Sequence, residues 1–350
     1  MRIEIWSHRR ELLAGVTAAH QKHLVRESLF VRTIYEHCEG WGEVSPQPVA
    51  LNGDPGLAEV SSALIDLCIR FVQRARVEEV PPEWHRVGAW SDGSSTERFA
   101  ICALEMSLLD LHLRQTGESI DALWAPVFAP RFQATVSLMD PVWPVVDGAS
   151  RVRVKASPRS WSNECALRLA NLRAPVLLDL NGSGDSVGAV RDFAERVAQH
   201  CDLVALEQPF GAGDFVTTSQ LARQVMCPVS LDESVRTRSD ITMAAKYSAA
   251  AMVCIKPARV GGLSTARSLV RVAESNGLRA YIGGFFESPL GRAANHGLSA
   301  NTTDEPGDVG PVALSTGQGG WLSDHLGFGF RPSEAFFTEA QLVGVVDGTT

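Results

Sequence analysis

The sequence predicts an α/β protein: a barrel of parallel strands and helices, preceded by a smaller α+β unit. Two observations carry that prediction. Between Arg151 and Gly284, short apolar runs recur about every 24 to 28 residues, and each ends in a chemically loaded residue. That interval suits a strand, a helix and two loops. Ahead of them, about 120 residues begin as strand-like runs and continue as helix-like ones, the order of an α+β unit. Chemistry gathered at the carboxyl ends of successive parallel strands is how a β/α barrel builds an active site.

Taken in order, Met1–Trp6 alternates apolar and polar residues as a half-buried strand does. Glu11–Glu27 is mixed in character and interrupted by Gly15, so a loop is expected there. Ser28–Tyr35 and Gly40–Ser45 read as the next two strands, and Pro46–Pro55 as a Pro/Gly/Asn loop. Leu57–Arg76 and Glu97–Gln115 carry apolar residues at helical spacing, the second with Ala100, Ala103, Leu104, Leu108 and Leu111 on one face. Gln133–Leu138 opens the barrel. Strands follow at Arg151–Lys155, Val176–Asn181, Leu203–Glu207, Val229–Glu233, Ala251–Lys256 and Ala280–Gly284. Helix-period segments at Asn163–Leu172, Val187–His200, Thr217–Gln224, Ser239–Tyr247 and Leu263–Asn276 fill the gaps between them. Leu290–Leu298 is a further short helix, and Asp308–Gly310 reads as a final strand in a stretch rich in Gly, Asp and Pro.

Composition bounds the function. A chain of 350 residues with 45% apolar content can bury one large barrel and a smaller core. Its net charge of −8, without a dense Lys/Arg run, disfavours nucleic acid and anionic membrane as partners. Neither a signal-peptide core nor a membrane-length apolar run is visible. The seven cysteines are scattered without metal-type spacing, which suits reduced, buried thiols in a cytoplasmic protein. Oligomeric state is left open.

The strand ends define a candidate site. Asp179, Glu207 and Asp232 come from three consecutive strands, and their convergence would be costly without a counter-charge. Three hard oxygen donors, with room for water and a small-molecule carboxylate substrate, suit Mg²⁺, with Mn²⁺ as a substitute. Lys155 and Lys256 flank the acids on strands expected to face each other across the ring. A lysine beside a metal in a dry pocket has its ammonium form disfavoured and can serve as a base. Arg153 shares the inward face of its strand with Lys155. The plain alternatives are helix caps for single acids, an ion pair to Asp179 for Lys155, a surface position for Lys256 and a tight turn for Gly283 and Gly284.

These strand ends, with Lys256–Gly262, Gly283–Ser288, Gly291–Asn295, Ala103–Met106 and Gly40–Pro46, resemble the enolase superfamily. Within it they are similar to the muconate-lactonising subgroup and to its o-succinylbenzoate synthases, some of which also racemise N-succinylamino acids. The resemblance implies a modified (β/α)7β TIM barrel over residues 126–321 and an α+β capping domain over 1–125, with residues 322–350 packing back on the latter. It implies Mg²⁺ on Asp179, Glu207 and Asp232, supported by Asn181 and Glu233. Lys155 would act as base and then acid, Lys256 as the cation that stabilises an enediolate, and Arg153, Gly283, Gly284 and Glu287 would stand near the substrate. The implied reaction is Mg²⁺-dependent syn dehydration of 2-succinyl-6-hydroxy-2,4-cyclohexadiene-1-carboxylate to o-succinylbenzoate, a step of menaquinone biosynthesis. N-succinylamino acid racemisation and muconate-type cycloisomerisation are the alternatives. The strand-seven end, Ile282–Phe285, carries no histidine, and Glu287–Ser288 replaces an aspartate-rich signature, which argues against two other branches. Glu11–Glu27 matches a mobile capping loop in position, with His20, Lys22 and Arg26 as candidates for a distal carboxylate; Trp41 and Glu43 are expected to be structural. Three departures stand out: Arg153 where the family has a lysine, the Gly-Ser-Gly-Asp loop after Asn181, and a short span from Lys155 to Asp179 that implies an abbreviated helix.

Overall fold

The computed structural model describes residues 1–18, 21–78, 83–90, 93–129, 131–140, 143, 148–310 and 320–348; for 12–18, 21–24, 76–78, 89–90 and 160 it describes the backbone alone. The chain opens with strands β1 (Arg2–Ala18), β2 (Gln21–Tyr35) and β3 (Cys38–Val44) and helices α1 (Leu57–Glu78), α2 (Ser95–Thr116) and α3 (Ile120–Leu123). Seven barrel strands follow: β4 (Gln133–Ser137), β5 (Arg151–Lys155), β6 (Val176–Asp179), β7 (Leu203–Glu207), β8 (Val229–Leu231), β9 (Met252–Ile255) and β10 (Arg279–Ile282). Between and after them lie α4 (Asn163–Ala170), α5 (Val187–Ala198), α6 (Phe215–Ala222), α7 (Arg238–Lys246), α8 (Pro257–Val260), α9 (Leu263–Ser275) and α10 (Pro289–Thr302). The chain ends with β11 (Trp321–Ser323), β12 (Phe330–Pro332), α11 (Glu334–Glu339) and β13 (Gln341–Asp347).

All neighbouring pairs from β4 to β10 are parallel and stand in chain order. The ring is closed by a very short segment, since Asp308 bridges to Gly283 beyond β10 and Gly307 bridges to Phe132 before β4. This is the final strand expected at Asp308–Gly310, reduced to isolated bridges. The abbreviated helix is also present, because α4 spans only 8 residues. Side-chain oxygens of Ser162, Ser186, Asp214 and Thr237 accept the N–H of the third helical residue at the starts of α4, α5, α6 and α7. Each such cap contributes about 1 kcal/mol and sets where a helix begins.

The second sheet is antiparallel in the order β13-β1-β2-β3. It corrects one expectation: Glu11–Glu27 is not a loop but the distal half of a long β1–β2 hairpin. Pairing runs from Arg2↔Ile34 to Ala18↔Gln21, with a register shift between Glu11 and Val16. The consecutive Leu12, Leu13 and Ala14 and the glycine at 15 break alternation; a shift of register in the ladder absorbs that break while both strands stay extended. β3 lies against α2 closely enough to require glycine. A Cβ at Gly40 would sit 2.2 Å from the Leu111 nitrogen, and one at Gly42 would sit 2.1 Å from the Ala103 oxygen. Trp41 between them is fully buried, 5.8 Å from the Trp321 ring and 5.4 Å from the Phe336 ring. Its expected structural role follows from that packing.

Polar clamps tie the sheet unit to the barrel. Glu43 accepts from the Ser288 N–H (2.8 Å), the Ser288 hydroxyl (2.5 Å) and the Gly291 N–H (3.1 Å), holding the start of α10. Arg259 makes a two-pronged bond to Asp54 at 2.9 and 2.7 Å. All seven cysteines are free; Cys68, Cys102, Cys165 and Cys254 are buried, and Cys38, Cys201 and Cys227 are half-buried. Among the described residues no helix is long and apolar enough to cross a membrane.

Candidate active site

Strand register builds the site. Lys155 on β5 is opposite Asp179 on β6, and Asp179 is opposite Glu207 on β7, so three charged residues share one rung at the carboxyl ends of the strands. Asp232 and Lys256 continue the row just past β8 and β9. Asp179 and Glu207 are fully buried, and Asp232, Lys155 and Lys256 nearly so.

The charges are closely paired. Lys155 Nζ donates to Asp179 Oδ2 at 3.1 Å and to Asn181 Oδ1 at 2.9 Å. Lys256 Nζ lies 2.8 Å from Asp232 Oδ2 and 5.0 Å from the centre of the Phe285 ring. Arg259 Nη1 bonds Asp232 Oδ1 at 2.5 Å. Arg153 sits in the middle: its Nη2 is 2.8 Å from Asp179 Oδ2 and 3.5 Å from Asp232 Oδ2, and it also touches Glu207 Oε1. Its Nη1 is 3.0 Å from Asp308 Oδ2. Behind the acids, Tyr281 donates its hydroxyl to Glu207 Oε2 at 2.5 Å. Gln208 Oε1 accepts the N–H groups of Asp232 and Ser234, fixing the turn after β8. Asn181 and Gln208 hold positive φ angles of 42° and 38° at the strand ends. Backbone strain of this kind concentrates at functional sites.

Proton affinities follow from these neighbours. Burial alone raises Asp179 and Asp232, but Arg153 and Lys155 beside the first, and Arg259, Lys256 and Arg153 beside the second, bring both below the ordinary aspartate range. Burial pushes Glu207 up to about 7, Asp179 and Asp232 adding to it against the pull of Arg153. Glu233 is also raised, by burial and then by Asp232 and Asp179. Burial opposes the Lys256 ammonium, yet Asp232 outweighs it and the net shift is upward. Lys256 is therefore held as a cation, which differs from the lowered lysine that a metal neighbour would favour.

These residues fit a hard divalent cation. With the Arg259–Asp54 pair set aside, the carboxylates of Asp179, Glu207, Asp232, Glu233 and Asp308 face the cations of Arg153, Lys155 and Lys256. Acids outnumber bases in this cluster, and Glu207 and Glu233 are shifted upward by burial first and by the neighbouring carboxylates second. One oxygen from each of Asp179, Glu207 and Asp232 faces a single point, as a hard-ion site requires. Among the described residues no three acid, histidine or cysteine side chains stand ready to hold an ion as they are. Arg153 Nη2 lies among the oxygens of the three acids.

Other expected residues divide between wall and support. A small, partly open chamber of about 40 Å³ is lined by Arg153, Lys155, Asn181, Asp232, Glu233, Lys256 and Gly284, among others. A wider cavity of about 350 Å³ shares Asn52, Asn181 and Glu233 with it and adds Gly182, Gln208 and Arg236. Gly283 is not in either wall; a Cβ there would meet Cys254 Sγ at 2.6 Å and the Lys256 stem at 3.0 Å, so glycine makes room for that lysine. Glu287 stands behind the chamber, where its Oε1 accepts the Phe285 N–H at 2.8 Å. Arg26, a candidate for a distal carboxylate, is buried and bonded to Gln47 and the Ser45 carbonyl. His20 and the Lys22 side chain lie outside the described residues.

Asp308, Arg259, Tyr281 and Asp54 were not singled out for the site. Alternation signals Tyr281, two residues before Gly283 on the inward face. The Lys256–Gly262 motif contains Arg259, and Asp308 opens the expected last strand. Asp54 lies in a loop and had no local signal.

A family model described as enolase C-terminal domain-like matches residues 144–331. An N-succinylamino acid racemase of Amycolatopsis sp is 28% identical over 85% of this chain and 82% of its own. An o-succinylbenzoate synthase of Listeria innocua is 26% identical over 78% of this chain and 74% of its own. The crystal structure of an enolase superfamily member from Listeria innocua Clip11262 superposes with a TM-score of 0.81 at 19% identity, covering 99% of this chain and 98% of that one, and so shares its fold.

Proposed function

We propose, for a chain that belongs to the enolase C-terminal domain-like family and is a lyase-type enzyme, that it dehydrates 2-succinyl-6-hydroxy-2,4-cyclohexadiene-1-carboxylate to o-succinylbenzoate. The observation that carries this reading is the placement of Lys155 and Lys256 in the walls of one chamber, on either side of three carboxylates. Asp179, Glu207 and Asp232 would hold Mg²⁺. When bound, that ion would supply Lewis-acid stabilisation of the charge that develops as a carboxylate's α-carbon is deprotonated.

The chain's own residues do the proton work. Lys155 takes the α-proton; Asn181 Oδ1, 2.9 Å from Nζ, orients it. The resulting ammonium then gives a proton to the departing hydroxyl on the same face, so syn elimination needs one residue for both transfers. Lys256 is kept charged by Asp232 and faces the developing enediolate as a fixed cation. Phe285 against Lys256 and Arg259 limits water on that side. The product would serve menaquinone biosynthesis.

A second reading, racemisation of N-succinylamino acids, is favoured by the Amycolatopsis relative, which covers 85% of this chain under that name. In it Lys155 and Lys256 serve opposite faces of one α-carbon. An ultraviolet assay with the cyclohexadiene substrate, with and without Mg²⁺, tests the first reading. Mg²⁺-dependent turnover lost in Lys155→Ala is expected. No turnover by folded wild type, together with α-proton exchange of N-succinylamino acids, would replace it with the second.

A further inference from the structure

We infer that Arg153 is a built-in counter-ion of the acid triad: it fills the shared cation point in the metal-free protein and pivots on Asp308 to vacate it. The inference rests on the metal reading above. Nη2 meets one oxygen from each of Asp179, Glu207 and Asp232. A divalent ion held by those oxygens at about 2.0–2.1 Å has no room for that nitrogen, and like charge adds to the conflict. The guanidinium therefore competes for the point rather than assisting there.

Two features supply a second position. Nη1 is anchored 3.0 Å from Asp308 Oδ2, on the closing segment of the barrel and away from the triad, so the side chain keeps one ion pair after Nη2 leaves. The buried Nε has no hydrogen-bond partner among the described residues. An unpaired buried N–H is a cost, so the triad-bound pose leaves Arg153 incompletely satisfied. Arg153 also lines the partly open chamber, so a freed Nη2 faces the space a substrate carboxylate would enter. A lysine, with a single charged point, could not hold the triad and Asp308 at once.

The experiment titrates Mn²⁺ by electron paramagnetic resonance and melts the protein in EDTA, using wild type, Arg153→Met, Arg153→Lys and Asp232→Asn. Removing the competing cation should tighten Mn²⁺ binding by at least about tenfold in Arg153→Met, while the melting temperature in EDTA falls; a merely structural arginine would not tighten metal binding. Arg153→Lys should lie between the two, and it carries the test if the methionine variant does not fold. Equal or weaker Mn²⁺ binding in the Arg153 variants, with binding lost in Asp232→Asn, would overturn this inference and leave the metal reading standing. Binding by Arg153→Met but not by wild type would support Arg153 as the occupant and overturn the metal reading for the native chain. Absence of binding in all of them would overturn both.

Discussion

Replacing Glu105 with glutamine should stabilise the protein above neutral pH and leave it little changed near pH 5. Glu105 is buried on α2, where its Oε1 accepts the Ser264 N–H at 3.1 Å, at the start of α9. Its Oε2 has no hydrogen-bond partner among the described residues. Burial pushes this carboxyl from its ordinary 4.5 up to about 7, against the hydrogen bonds from Ser264 and Leu263. The folded state therefore binds the proton more tightly than the unfolded chain. The resulting stability is fully present below about 4.5 and is lost as pH rises through about 7. A displacement of that size corresponds to about 3 kcal/mol, as an order of magnitude. Glutamine keeps the acceptor and removes the ionisation. Thermal melts in EDTA from pH 5 to 8.5 should show wild type falling relative to Glu105→Gln by about 3–6 °C. Parallel curves would refute the reasoning, since they would mean that Glu105 ionises at no cost in the fold.

Two further substitutions test how the site is supported. Gly42→Ala should destabilise the sheet unit by about 1–3 kcal/mol or more, because its Cβ would lie 2.1 Å from the Ala103 oxygen; denaturant unfolding followed by circular dichroism measures the loss. Tyr281→Phe removes the hydroxyl that donates to Glu207 at 2.5 Å. It should cost about 1.5–3 kcal/mol in melts of the metal-free protein, and a smaller cost with Mn²⁺ present would indicate that Glu207 has gained another partner.

Much of this arrangement was legible because barrel strands are short apolar runs and the residue after each run points into the mouth. Asp179, Glu207, Asp232, Lys155 and Lys256 could be read that way, and the structure brings them within one row. Asp308 was harder, because its strand is reduced to bridges from Gly307 and Asp308 and has no apolar run to announce it. The long hairpin was hidden by Leu12, Leu13, Ala14 and Gly15, where a shift in pairing restores the register only once both strands are paired. Alternation could aim Arg153 inward, but its contact with three acids depends on side-chain reach across the barrel, a distance that no local pattern encodes.

On the proposed function, Lys155 moves a proton at the α-carbon of a carboxylate in a site that needs a divalent cation. Proton magnetic resonance in D₂O, with an N-succinylamino acid and separately with the cyclohexadiene substrate, tests it directly. Wild type with Mg²⁺ should exchange or eliminate the α-proton of at least one of them. Lys155→Ala and EDTA-treated wild type should lose that activity by about a thousandfold or more. Undiminished exchange in Lys155→Ala, or none in folded wild type saturated with Mg²⁺, would contradict the account.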